Sequence, residues 1–327
     1  MSEMLSSQPM LELKGIEVQF PVKKGGLFGK NLKLKAVNQV SLTVQKGRTL
    51  AIVGESGSGK TTLALASARL LPVHAGKVFL NGIDLHQLNK KELRAERRRL
   101  QFIFQDPYSS LNPRLRAEKI VQEPLDRLNI GNNQSRKKEV LQLFEQVGLR
   151  QDQLRLFPHQ FSGGQRQRIG IARAIASKPD LVICDEPVSA LDVGVQAQIL
   201  NLLRRLQIEM QLTYLFISHD LGVVQHVCDE VAVMYMGRVV EQTDRISFFN
   251  NPLHPYSQAL LSAVPSALPG GRSKRRMILQ GDIPNPLDDS PGCHFASRCP
   301  KAEKRCWIET PFLQIPDTGH HVACHLV

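Results

Sequence analysis

The sequence predicts an α/β fold with a parallel-sheet core, and three observations carry that prediction. Thr49 to Val53 is a short, continuous apolar run followed by a glycine-rich turn and a helical stretch from about Lys60 to Leu71, which reads as a strand, loop and helix. Leu181 to Cys184 and Tyr214 to Ile217 are further short apolar runs, each followed by polar residues, as expected of buried parallel strands with a site at their ends. From Leu11 to Phe20 and from Val37 to Val44, apolar residues fall at alternate positions; this spacing predicts half-buried, antiparallel strands at the periphery.

Helical patterning dominates about residues 108 to 178, with Val140, Leu141, Phe144 and Val147 on one predicted face. An inserted helical subdomain is expected there. Near Pro265 the chain turns to PSALPGGRSKRR, a linker composition, so the expected division is a main domain over 1–265 and a small extension over 266–327.

At 327 residues the chain is long enough to bury a full core. It carries 42 Lys and Arg against 30 Asp and Glu, a formal +12, which favours anionic partners without choosing among them. Part of the excess lies in two runs, Lys90 to Arg99 and Arg272 to Arg276, which read as solvated faces, so no specific nucleic-acid binding is expected. MSEMLSSQPM lacks the basic-then-apolar order of a secretory signal, and no apolar run approaches the roughly 20 residues of a spanning helix. A cytosolic chain is expected, whose six cysteines are reduced and, where clustered, suit metal before disulfides.

Gly54, Glu55, Ser56, Gly57, Ser58, Gly59, Lys60 and Thr61 match GxxxxGK[ST] at every fixed position, between a predicted strand and a helix. Glycines let successive N–H groups turn toward a phosphate, and the helix N-terminus adds partial positive charge. Lys60 suits β- and γ-oxygens; Thr61, followed by Thr62, offers a hydroxyl to Mg²⁺. The loop predicts ATP and Mg²⁺ binding but does not separate kinases, GTPases, helicases and transport ATPases.

Further along come Ser162, Gly163, Gly164 and Gln165; then Asp185 and Glu186 after the Leu181 run; then Asp192; then His219. In order and spacing they resemble the signature motif, Walker B strand, D-loop and switch histidine of the ABC ATPases, and Gln105 resembles the Q-loop. The resemblance runs from about Leu11 to Leu261 and implies a P-loop NTPase of ABC type. Asp185 is suited to hold Mg²⁺ with Thr61 and Gln105, and Glu186 to polarise the attacking water, with Gln105 and His219 as further catalytic residues. The signature opens a helix, an anion site in its own right. In the family it closes on ATP bound by a partner ATPase, with Asp192 beside it. Phe20 falls where the family places an adenine-stacking aromatic.

Gln105 to Arg114 (QDPYSSLNPR), Pro158 to Phe161 (PHQF) and Asn251 to Tyr256 (NPLHPY) resemble the peptide and nickel import branch, most nearly the F-type ATP-binding subunits of dipeptide permeases. That implies a heterodimer with a D-type ATPase on the cytoplasmic face of the inner membrane. Two transmembrane permease subunits and, indirectly, a periplasmic substrate-binding protein complete the system. The implied cargo is a dipeptide or oligopeptide; nickel, glutathione and cationic-peptide systems stay open, as does a soluble ABC ATPase acting on nucleic acid. Cys293, Cys299, Cys306 and Cys324, with five, six and seventeen intervening residues, suit a tetrahedral Zn²⁺ or a [4Fe-4S] cluster. The resemblance favours the cluster. Cys184 and Cys228 read as small buried hydrophobes.

Overall fold

The computed structural model describes residues 8–24, 30–264, 284, 287, 291–317 and 319–327. The expected linker from Pro265, the basic run Arg272 to Arg276 and the first seven residues lie outside them.

Two long strands open the chain, β1 (Leu11–Lys24) and β2 (Lys30–Val44). Leu11, Leu13, Ile16, Val18, Val37, Val40, Leu42 and Val44 bury their side chains, as the alternation predicts. The buried strand β3 (Thr49–Val53) leads into α1 (Lys60–Ser67). This helix stops four residues before the expected Leu71. Arg69 turns left-handed at φ 52, and the Leu70 N–H bonds back to the Leu65 carbonyl, closing the helix before Pro72. Next come β4 (Ala75–Leu80), β5 (Ile83–Asp84), α2 (Lys90–Glu96) and β6 (Leu100–Ile103). No residue of α2 is buried.

The expected helical stretch contains α3 (Ala117–Arg127), α4 (Asn133–Gln146) and α5 (Gly163–Ile175). On α4 and its cap the buried set is Val140, Leu143, Phe144 and Val147, whereas Leu141 is half-buried. The spacing i, i+3, i+4, i+7 selects Leu143 over Leu141. After it follow β7 (Leu181–Asp185), α6 (Val193–Met210), β8 (Thr213–Ile217) and α7 (Leu221–Val227). β9 (Glu230–Tyr235), β10 (Arg238–Asp244), α8 (Arg245–Asn250) and α9 (Pro255–Ser262) close the main part. The extension adds β11 (Gln314–Asp317) and β12 (His320–Val322).

The chain forms two compact units, residues 1–11, 44–49 and 79–217, and residues 12–43, 50–78 and 218–327. In the first, β7 pairs in parallel with both β6 and β8. In the second, β3 pairs in parallel with β9, which turns antiparallel into β10. Parallel pairing at fully buried strands is the arrangement that the continuous apolar runs predict. β12 pairs with β10 and β11 with β12, both antiparallel, so the residues after 291 are built onto a sheet of the second unit. No described helix is long and apolar enough to cross a membrane.

A buried carboxylate holds this edge together. Glu241, fully buried on β10, accepts the N–H groups of Leu253 and His254 at 2.8 and 2.9 Å and faces His320 Nε2 on β12 at 2.7 Å. A buried carboxylate is tolerated only when so satisfied. His254 caps α9, its Nδ1 accepting the Tyr256 N–H at 3.0 Å, which requires a neutral ring. Burial pushes the His254 pKa down to about 3 from the usual 6.5.

Between those values the unfolded chain binds a proton on His254 that the folded chain does not. Its contribution to stability is therefore complete above pH 6.5 and is lost as pH falls. The stability gap between the parent and His254→Asn, which keeps a capping oxygen but cannot titrate, should narrow by up to about 1.4 kcal/mol per pH unit between pH 6.5 and 5. Urea midpoints measure it, and a pH-independent gap would contradict a neutral His254.

Candidate functional site

The predicted phosphate loop is built in the second unit. Gly54 (φ 150) and Gly59 (φ 100) adopt backbone conformations that side chains rarely take, and a Cβ on either would lie 2.2 Å from a backbone oxygen, of Met234 and Ala36 respectively. Ser58 offers its carbonyl to the Gly237 N–H at 2.9 Å, at the tight β9–β10 turn where Met236 and Gly237 both have positive φ. Lys60 is buried, its ammonium donating to the Gly54 and Glu55 carbonyls at 2.8 Å each. No side chain caps α1, so its N-terminus keeps the polarity that suits an anion. Thr61 is exposed and Thr62 half-buried on its first turn.

A cavity of about 220 Å³ opens beside the loop, lined by Lys33, Lys35, Ser56, Gly57, Ser58 and His294 among others. Phe20 lies half-buried near the end of β1 and is not one of its lining residues.

Two residues with no sequence signal for this loop make tertiary contacts to it, and a third supports one of them. The Glu55 N–H donates to the Tyr256 hydroxyl at 2.8 Å. Arg298 donates from both terminal nitrogens to the two Glu55 carboxylate oxygens, at 2.8 and 3.0 Å, across 243 positions of sequence. The Tyr235 hydroxyl meets Arg298 at 3.4 Å. Hydrogen bonding to Glu55 pushes the Arg298 pKa up, and burial pushes the Tyr235 phenol up. Tyr256 belongs to the NPLHPY stretch and Arg298 precedes Cys299, but neither spacing points to a phosphate loop.

The first unit holds Gln105, Asp185, Glu186, Asp192 and the signature residues. Asp185, buried, ends β7, and Glu186 follows in a left-handed conformation, φ 46. Its N–H donates to the Ile217 carbonyl at 3.0 Å. An L-residue held there stores about 1–2 kcal/mol, a kind of strain found at functional positions. Gln105, exposed, donates its amide to Glu186 Oε2 at 2.8 Å, so the structure joins two of the predicted catalytic residues. His219 is exposed just before α7, in the second unit.

Ser162 caps α5, its hydroxyl oxygen accepting the Gln165 N–H at 3.3 Å while Gln165 Oε1 accepts the Ser162 N–H at 3.0 Å. This reciprocal capping box leaves the serine hydroxyl proton as a donor. A Cβ on Gly164 would lie 2.4 Å from Val195 Cγ1, and one on Gly163 would lie 3.4 Å from Leu191. Glycine here lets two helix starts pack closely, which the motif alone does not disclose. Asp192 caps the second, α6, accepting the Val195 N–H at 3.1 Å. Arg166, buried on α5, stacks over the Tyr108 ring at 3.7 Å, joining the signature helix to the segment after Gln105.

Cys293, Cys299, Cys306 and Cys324 are neighbours. Burial first, and then neighbouring cysteines, push the Cys293 thiol up to about 11 and raise those of Cys299 and Cys324. Thiols are donors that suit a soft metal or an iron–sulfur cluster when three or four of them converge. Among the described residues, however, no group of three or more His, Cys, Asp or Glu side chains is arranged to hold a metal ion. Cys184 and Cys228 are buried, Cys228 in the hydrophobic cluster against which Cys293 and Cys299 pack, and burial pushes the Cys228 thiol up to about 12.

Residues 37–189 match the ABC transporter family, and residues 240–306 match the oligopeptide/dipeptide transporter C-terminal region. The chain is 46% identical over 323 residues to the oligopeptide transport ATP-binding protein AppF of Bacillus subtilis (strain 168), covering 98% of both chains. It is 47% identical over 320 residues to the probable peptide ABC transporter ATP-binding protein y4tS of Sinorhizobium fredii, covering 98% of this chain and 90% of that one. Among solved structures, the ATP-binding cassette MJ0796, a dimer in a post-hydrolysis state bound to ADP and Pi, matches with a TM-score of 0.64 and 30% identity, over 72% of this chain and 99% of that one. With the phosphate loop, the strained Glu186 and the capped signature helix in place, these matches show that the chain belongs to the ABC-type ATPases, as an ATP-binding subunit of the peptide-importer branch.

Proposed function

We propose that the chain binds and hydrolyses ATP in a two-ATPase complex and thereby drives import of dipeptides or oligopeptides. The observation that carries the chemistry is the Gln105 to Glu186 hydrogen bond at the end of a fully buried strand. Glu186, fixed by its left-handed backbone, takes a proton from water as the water oxygen attacks the γ-phosphorus. The bond to the β–γ bridging oxygen breaks and ADP leaves. Gln105 and His219 orient the carboxylate and the γ-phosphate. The phosphate-loop N–H groups and Lys60 stabilise charge on the transferring group. Thr61, Asp185 and Gln105 would hold Mg²⁺, which would supply positive charge against the phosphates.

Ser162, Gly163, Gly164 and Gln165, with Asp192, act on ATP bound by the partner. The dimeric MJ0796 cassette supports the dimer. A D-type ATPase as that partner and two permease subunits fed by a periplasmic binding protein are the reading carried by the branch resemblance. It places the chain peripherally on the cytoplasmic face of the inner membrane. The Arg166 to Tyr108 stack gives the signature helix a direct hold on the segment that would meet those permeases. Peptide as cargo is supported by the names of the relatives and by the C-terminal match.

Glu186→Gln should bind ATP with near-parental affinity while kcat falls at least about 100-fold; a single-turnover assay decides, and parental turnover would remove Glu186 from the base role.

For the four cysteines the proposed occupant is a [4Fe-4S] cluster, a reading carried by the branch resemblance alone. Protein purified without oxygen should contain iron and acid-labile sulfide, both lost in Cys299→Ser. One zinc per chain without sulfide would favour Zn²⁺ instead.

A further inference from the structure

Every polar group of Glu55 is anchored. Its N–H goes to Tyr256, its carbonyl accepts from Lys60 at 2.8 Å and from the Ser58 N–H at 3.2 Å, and both carboxylate oxygens face Arg298. Glu55 is the only acidic residue from Gly54 to Thr61. The pair is bidentate and largely withdrawn from water, with the Arg298 side chain 8% and the Glu55 side chain 26% exposed. Such a pair is far stronger and more directional than a surface bridge.

Arg298 itself is rigidly mounted. It ends a single turn of 3₁₀ helix, Ala296–Arg298, whose preceding residue Phe295 is buried against Tyr235 and Tyr256 at ring distances of 5.3 and 5.4 Å. Cys293 and Cys299 flank that turn, and the Cys293 N–H donates to the Cys306 carbonyl at 2.7 Å.

We propose that Arg298 is a positioning residue for nucleotide binding: by pairing with Glu55 and neutralising it, Arg298 sets the charge of the phosphate loop, making the C-terminal extension part of the ATP site. This inference rests on Gly54 to Thr61 being that site. Without Arg298, an unpaired carboxylate stands in the loop that must accept a triphosphate, and like charges repel. The penalty should fall on binding and not on the chemical step, and removing the Glu55 charge should relieve it.

The test is titration of the full-length chain with a fluorescent ATP analogue, together with steady-state hydrolysis. Arg298→Gln should weaken ATP binding and raise KM by roughly tenfold, leaving kcat within about twofold. Arg298→Lys should be intermediate. Glu55→Gln alone, which removes the loop's one carboxylate, should weaken affinity less than Arg298→Gln does, and combining the two substitutions should recover most of the affinity that Arg298→Gln loses. A double variant as weak as, or weaker than, Arg298→Gln would overturn the proposal by showing a purely structural contact. So would parental affinity in Arg298→Gln while Lys60→Ala loses binding. Parental affinity in Lys60→Ala as well would instead overturn the nucleotide-site reading. Should Arg298→Gln fail to fold, Arg298→Lys alone and combined with Glu55→Gln decide: parental affinity in Arg298→Lys, or no recovery in the combination, counts against the clamp.

Discussion

A phosphate loop works only while its N–H groups converge on one anion, so its carbonyls and side chains must be satisfied elsewhere. That constraint organises the second unit. Lys60 folds back on the carbonyls of Gly54 and Glu55, a posture that stores its charge against the loop. Gly237 holds the Ser58 carbonyl, and Ala36 and Met234 press on Gly59 and Gly54 so closely that only glycine fits. β2 and the β9–β10 turn are thus scaffolding for eight residues.

The same demand explains why the chain continues past α9. Tyr256 and Arg298 reach the loop only because a second set of buried polar groups fixes them. Glu241 receives the N–H groups that start α9 and meets His320 on β12, and neutral His254 caps the helix that carries Tyr256. Each of these groups would be costly if left alone in the interior. The aromatic set of Tyr235, Tyr256 and Phe295 fills the space between them, so apolar packing and polar satisfaction reinforce one another.

In the first unit the devices are local except for one long-range bond, from Gln105 to Glu186. Glu186 is aimed by a left-handed backbone and held by Gln105. Ser162 and Asp192 use side-chain oxygens to close the N-termini of α5 and α6, and the absence of a Cβ at Gly164 lets Val195 approach. The signature residues thereby shape their own helix start.

Sequence alone determined what depends on near neighbours. Buried strands followed from continuous apolar runs and half-buried strands from alternation, although β1 of the two sits between neighbours in its sheet and not at an edge; the phosphate loop, the carboxylate pair at Asp185 and Glu186 and the signature helix start followed from fixed short spacings, because their geometry is set within a few residues of backbone. Periodicity blurred where one residue matters, taking Leu141 for Leu143 and running α1 past Arg69, since a face or a helix stop is fixed by rotation and by a single φ. The tertiary structure decided the rest: that Gln105 meets Glu186 across 81 positions and that Arg298 meets Glu55 across 243. An ion pair has no periodicity and leaves no pattern in the chain; its partners become neighbours only when the strands and turns between them have closed.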